Sequence, residues 1–345
     1  MIKQLVVAIL FVLSSINIVA AQQDKIRIAI FGAWSGTMPS YEYIKSYVNL
    51  WKYTNPKIKD NVDYEIKYFD DGCNVELTRA NIEFIKVWKP NFLIGPTCTA
   101  TILENVPFLK ALNIPIIVTN SSSDDITQQN LDLYRLPPTN KYIMDENLEL
   151  IKSKGKKIAL IYDDTFFGKQ HMDDIVNNKL NFIALFEVMH LRSNNEQLIH
   201  KLKINDIEAV LYSGYGEGLI LLSKLLANTN IKIIYTNAIS YTDDVKSIIG
   251  EKTKDIIVLS PTYETQREVN ALEVIPRQAS VYINGIYMYA SLDVIKNVVT
   301  NISKPTDKDE FNKYIRNNKI KTIIGNIQFT NNGEIANIRD VIKFD

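Results

Sequence analysis

The feature of this chain that most restricts its fold is an alternation. Short apolar runs rich in β-branched and aromatic residues are separated by segments whose apolar residues recur at helical spacing. The runs fall at 26–31, 64–69, 92–95 and 114–119, and again at 157–162, 182–188, 209–213, 232–236 and 256–260. Strands that alternate with helices form crossover units, and these build parallel sheets covered by helices. Tyr41, Ile44, Tyr47, Val48 and Trp51 stand at offsets 0, 3, 6, 7 and 10, one stripe that would bury against a sheet. Leu219, Leu222, Leu225 and Leu226 repeat the device. Two successive series predict two doubly wound lobes. Pro137 and Pro138 stop regular structure between them and fit a crossing from lobe to lobe. Helical patterns follow at 279–299 and 309–316. The runs 327–330 and 338–344, around Asn331, Asn332 and Gly333, read as two strands about a turn.

The first residues bear on compartment. Lys3 precedes an uninterrupted apolar run over 5–13, followed by Ser14, Ser15 and small residues to Ala21, the layout of a secretory signal peptide over 1–21. The run is shorter than the roughly 20 residues of a spanning helix. Val19 and Ala21 suit the cleavage positions and leave Gln22 first, where a lipid anchor would need cysteine. The expected product is therefore a free periplasmic protein, with an uncleaved anchor as the alternative. The 39 basic and 39 acidic residues balance, and no basic stripe is present to bind nucleic acid. Cys73 and Cys98 are the only cysteines. An isolated pair in an oxidising compartment most often forms a disulfide, the alternative being two buried thiols. His171, His190 and His200 show no metal spacing, so neither a metal nor another cofactor is expected.

Several motifs occur in a telling order. Residues 28–36 read Ile-Ala-Ile-Phe-Gly-Ala-Trp-Ser-Gly, a strand and a G-x-x-S-G turn, with Tyr41 soon after. Strand ends follow at 68–73, 94–98 and 114–127, and residues 325–333 read G-x-I-x-F-x-x-x-G. In order and spacing these resemble the leucine/isoleucine/valine class of type I periplasmic binding proteins, which serve ABC importers, from Ile26 to the C-terminus. The resemblance implies an α/β fold of two doubly wound Rossmann-like lobes joined by three hinge crossings. Lobe 1 would comprise 22–138 plus 263–325, and lobe 2 would comprise 139–262 plus 326–345. It also implies a Cys73–Cys98 disulfide and an interlobe cleft at the carboxyl ends of the strands, where open α/β sheets generally bind ligands. The implied protein is a monomer without enzymatic activity. It would capture an amino acid or similar carboxylate and deliver it to an ABC transporter permease.

Candidate ligand residues stand at those strand ends. Thr97, Cys98 and Thr99 lead into a helical pattern near Ala100, where unpaired N–H groups attract a carboxylate and Thr99 adds a hydroxyl. A simple helix cap is the alternative. Asn120, Ser121, Ser122 and Ser123 form a polar loop, and the resemblance puts Ser121 and Ser122 on the carboxylate and ammonium of the ligand. Trp34 and Tyr41 would wall the ligand side chain or else pack on their own lobe. Phe167 and Tyr215 would close the pocket from the second lobe, with Phe167 replacing a tyrosine common in branched-chain binders. One departure matters. Where those binders carry a glutamate for the ammonium, this chain has Asn237, Ala238 and Ile239. Asp163, Glu217 and Asp243 are the substitutes on offer, each also readable as a turn or surface charge. A buried ammonium without a partner costs several kcal/mol, so either one of these acids moves in or the ligand lacks an α-ammonium.

Catalysis has no named player in the sequence. Ser35 has Gly32 three residues before and Gly36 one after, which is not the spacing of a nucleophile elbow. Gly214, Gly216 and Gly218 lack the spacing and the downstream acid of a dinucleotide loop. A ligand-sensing receptor module of the same fold is the alternative to transport, and a hydrolase ranks behind it.

Overall fold

The computed structural model describes residues 25–35, 41–59, 62–129, 132–142, 157–165, 168–169, 171–173, 189–190, 196–237, 240–241, 243–262, 279–336 and 339–344. The expected signal peptide, the expected strand 182–188 and Phe167 lie outside these residues.

The first lobe is a sheet in the order β2-β1-β3-β4-β5. Its elements are β1 (Ile26–Gly32), α1 (Tyr41–Thr54), β2 (Tyr64–Asp70), α2 (Val75–Trp88), β3 (Phe92–Ile94), α3 (Thr99–Leu103), α4 (Val106–Leu112), β4 (Ile116–Val118) and β5 (Leu133–Arg135). All of its strand pairs are parallel. Helices cover both faces, so β1 reads as a nearly continuous apolar run rather than an alternating one. Ile28, Ile30, Phe92 and Ile94 face one core with Ile44, Val48 and Trp51 of α1. Ala29, Phe31 and Leu93 face the other with Ile82 and Ile85 of α2. Asn74 starts α2 by accepting the Leu77 N–H at 2.9 Å, an ordinary amide cap.

The second lobe contains β6 (Ile158–Tyr162), β7 (Met189–His190), α5 (Glu196–Ile204), β8 (Ala209–Ser213), α6 (Gly216–Leu225), β9 (Lys232–Tyr235), α7 (Asp243–Ile249) and β10 (Ile256–Thr262). The predicted stripe of α6 buries Leu219 and Leu222, and Leu226 follows them inside. The chain then returns to the first lobe through α8 (Ala279–Asn301) and α9 (Lys308–Asn317). Trp51 on α1 donates its indole N–H to Asp293 on α8 at 2.9 Å, and Phe311 on α9 meets Phe92 with ring centroids 5.6 Å apart. A short hairpin, β11 (Ile320–Thr322) with β12 (Gly325–Ile327), leads to the final strand, β13 (Arg339–Phe344).

Two sequence expectations need correction. The runs 327–330 and 338–344 do not pair with each other. β13 runs antiparallel to β10 and completes a sheet ordered β13-β10-β9-β8-β6-β7. The stretch that was to open the second lobe's share at 326 packs first on the first lobe: Phe329 lies edge-on to Tyr134 at 5.2 Å, and Arg135 donates its N–H to Gly333 at 2.8 Å. Burial decides the second point, because Phe329 and Tyr134 complete an aromatic cluster with Phe311 that water would otherwise reach.

Candidate functional site

The carboxyl ends of β3 and β4 bring two loops together. Thr99, the first residue of α3, places its Oγ1 2.5 Å from Oγ of the buried Ser121. Of two paired hydroxyls one donates to the other, and the accepting hydroxyl keeps its own proton for a third group. Thr99 does not cap α3. The cap is made by Thr101, whose Oγ1 accepts the Cys98 N–H at 3.2 Å and donates to the Cys98 carbonyl at 2.7 Å. The N–H groups of the first helical turn have no partners inside the helix. Nearby, the amide oxygen of Asn120 is buried without a hydrogen-bond partner, an acceptor held ready for a donor. The hydroxyl pair and this acceptor therefore belong to the same pair of strand ends.

Buried groups behind these loops fix their positions. Cys73 and Cys98 form a disulfide with Cα atoms 5.4 Å apart, joining the turn after β2 to the start of α3. Asp71, fully buried, spans the same two loops, accepting the Thr97 N–H at 2.6 Å and the Cys73 N–H at 3.2 Å. Burial raises its pKa, and these hydrogen bonds work against the rise. On the other side of the site the Ser122 carbonyl accepts the Asn140 N–H at 2.8 Å, and Asp124 accepts the Lys141 N–H at 3.1 Å.

Trp34 is committed within its own lobe. Its indole N–H donates to the Phe69 carbonyl at 3.0 Å, its ring meets Tyr68 edge-on at 5.6 Å, and the Lys45 ammonium sits 4.6 Å over its face. Gly32 makes room for it, since a Cβ there would lie 2.3 Å from the indole. The side chain of Tyr41 lies outside the described residues.

In the second lobe the expected ammonium partners are placed differently from one another. Asp163 is buried, and its carboxylate accepts four donors: the N–H and hydroxyl of Thr165, the Tyr212 hydroxyl at 3.1 Å and the Tyr215 N–H at 2.7 Å. That set orders the turn ahead of α6 and leaves little acceptor capacity for a ligand. Glu217 is exposed on α6, and the Asp243 side chain lies outside the described residues. Asn237 ties its amide to the Gly214 carbonyl at 3.2 Å. Tyr215 stands at the N-cap of α6, with its hydroxyl pKa pushed up to about 12, chiefly by burial.

Sequence reasoning missed Asp71, Asp124 and Arg135. Each reads locally as a turn or surface charge, and it is burial that sets Asp71 and Arg135 apart and the bond from the Lys141 N–H that sets the half-buried Asp124 apart. Among the described residues, no group of three or more His, Cys, Asp or Glu is placed to hold a metal ion, and no helix is long and apolar enough to cross a membrane.

A family profile described as periplasmic binding protein matches residues 52–340. The fold is similar to that of a solute-binding protein of an ABC transporter from Rhodopseudomonas palustris HaA2, solved with p-hydroxybenzoic acid. The TM-score is 0.78 at 16% identity, over 90% of this chain and 90% of that chain. It is also similar to the branched-chain amino acid transporter substrate-binding protein LivJ from Streptococcus pneumoniae in complex with isoleucine. There the TM-score is 0.74 at 12% identity, over 93% of this chain and 99% of that one. An ABC transporter substrate-binding protein from Desulfitobacterium hafniense, in complex with Leu, gives 0.74 at 14% identity over 93% and 98%. At such identities the likeness speaks for the fold alone.

Proposed function

The chain belongs to the periplasmic binding protein family, and from that premise we propose that it captures a small carboxylate between its lobes and presents it to an ABC importer. The observation that carries this reading is the convergence of the Thr99 and Ser121 hydroxyls from two adjacent strand ends. A hydroxyl pair with one free proton, beside the first N–H groups of a helix, suits one carboxylate. Asn120 offers its buried amide oxygen to a donor on the same molecule. Because Asp163 is already engaged by four donors, a hydroxy acid fits the described residues better than a standard amino acid. Ser122 and Tyr215 complete the proposed enclosure, together with Phe167 and Tyr41. Residues 1–21 are its proposed export signal, and the product is proposed to be a periplasmic monomer.

Mass spectrometry of ligand retained through native purification identifies the solute. Calorimetric titration with 4-hydroxybenzoate and with L-leucine then ranks the two classes. Thr99→Val combined with Ser121→Ala is expected to weaken binding of the identified solute by about 1.5–3 kcal/mol, since whichever hydroxyl keeps its proton for the charged group is then lost. Unchanged affinity would place the anion elsewhere.

A ligand held by groups of both lobes binds the closed arrangement better than the open one, and its differential affinity sets the shift in population. Moving that balance from 1:99 to 99:1 takes about 5.5 kcal/mol. Small-angle scattering should give a smaller radius of gyration with saturating ligand. An identical profile, with binding verified by calorimetry, would reject closure.

A further inference from the structure

Arg135, at the end of β5, has a side chain with 0% exposure. One guanidinium nitrogen donates to the Ser123 carbonyl in the site loop, and another donates to Glu334 at 2.8 Å. Its backbone N–H donates to Gly333 at 2.8 Å. Glu334 also accepts the Thr127 hydroxyl at 3.0 Å. The return segment can approach this closely because residue 333 is glycine. Its φ is +79°, and a Cβ there would lie 1.9 Å from the Leu133 carbonyl oxygen. The same site loop is bonded to the first residues that follow the Pro137–Pro138 crossing, through the Ser122 carbonyl with Asn140 and through Asp124 with Lys141.

Two parts of the chain therefore meet on one buried cation, the loop that carries Ser121 and the segment that precedes β13, and the residues after the Pro137–Pro138 crossing are bonded to that same loop. A buried charge persists only where its partners are fixed, and the rigid planar fork of arginine sets the separation of two acceptors in a way a lysine ammonium cannot. We propose that Arg135 is a positioning residue that locks the Ser121 loop to the segment preceding β13 and, through that loop, holds the first residues after the Pro137–Pro138 crossing in place. The proposal rests on the reading of that loop as the ligand loop.

Amide hydrogen exchange on the full, ligand-free protein tests the lock. In Arg135→Lys, the amides of Asp125, Ile126, Asn140 and Lys141 are expected to exchange at least tenfold faster than in the unaltered protein, with the β1 and β3 amides unchanged. Glu334→Gln, which keeps side-chain volume and removes the charge, should give the same pattern if the lysine variant fails to fold. If Asn140 and Lys141 keep their original rates while the residue 135 amide accelerates, the lock does not reach the crossing and the proposal falls. A uniform rise that includes Ile30 and Ile94 would make the pair a general stabiliser and would also overturn it. No ligand enters this measurement, so failure of the Ser121 loop to bind any carboxylate would count against the proposed function separately.

Discussion

Replacing Cys73 and Cys98 together by serine is expected to lower stability by about 3–4 kcal/mol, the loop entropy that a bond across a separation of 25 residues removes from the unfolded chain. The bond joins the turn after β2 to the start of α3, so the loss should appear in the first lobe. Urea unfolding of the oxidised protein and of the double variant measures it. A loss under about 1 kcal/mol would mean that the unfolded chain was already restricted, or that the folded loops relax without the bond. Free-thiol labelling of the oxidised, unfolded protein checks the premise, since two reactive thiols per chain would contradict the disulfide. Ligand affinity should fall less than stability does. Asp71 holds the same two loops through its bonds to the Thr97 and Cys73 N–H groups, and those survive the substitution.

Acidification from pH 7 to pH 4 is expected to drive the stabilities of the two lobes in opposite directions. His171 is buried in the second lobe, with Nδ1 2.5 Å from the Ser213 hydroxyl and 3.2 Å from that of Thr236. Burial lowers its pKa from 6.5 to about 4. Between those values the unfolded chain takes up a proton that the folded lobe refuses. Stability that is fully present above pH 6.5 is thus lost as pH falls through 4, by up to about 3 kcal/mol. Asp293 in the first lobe behaves in reverse. Burial pushes its pKa up to about 6, against the hydrogen bonds from Trp51 and Ile323. The folded carboxyl therefore takes up its proton first, and the first lobe gains up to about 3 kcal/mol between pH 6 and the ordinary carboxylate range. A global melt would partly cancel the two effects. Hydrogen exchange at pH 7, 5 and 4, corrected for the intrinsic pH dependence of exchange, separates them. Protection of the β6 and β8 amides should fall while that of the β1 and β3 amides rises. His171→Gln should abolish most of the fall. A shift of both lobes in one direction would refute the assignment.

Much of this fold is legible in the order of the residues. Whether a segment becomes a strand or an amphipathic helix depends mainly on neighbours one to four positions away, and the stripe from Ile44 to Trp51 buries as its spacing requires. The pairing of the two cysteines follows from compartment and number. β5 escaped notice because Leu133–Arg135 is only three residues long and ends in an arginine, which locally reads as surface. The partner of β13 escaped notice because an antiparallel turn and a long crossing leave similar residues behind them.

The family resemblance brought Thr99 and Ser121 forward as candidates, each at its own strand end. Their 2.5 Å approach comes from the parallel pairing of β3 with β4, which sets 22 residues of chain aside. Asp163 shows the converse. As a residue type it can hold an ammonium, yet strands and turns distant in sequence give it four donors of its own. Asp71 and Arg135 acquire their roles only through burial. The sequence by itself determined the periodicities, and with them the lobes, because those signals are local. Which polar groups are free, engaged or held in place was decided by the tertiary structure, because the free energy of a charge depends on the donors and the water around it, whatever its neighbours along the chain.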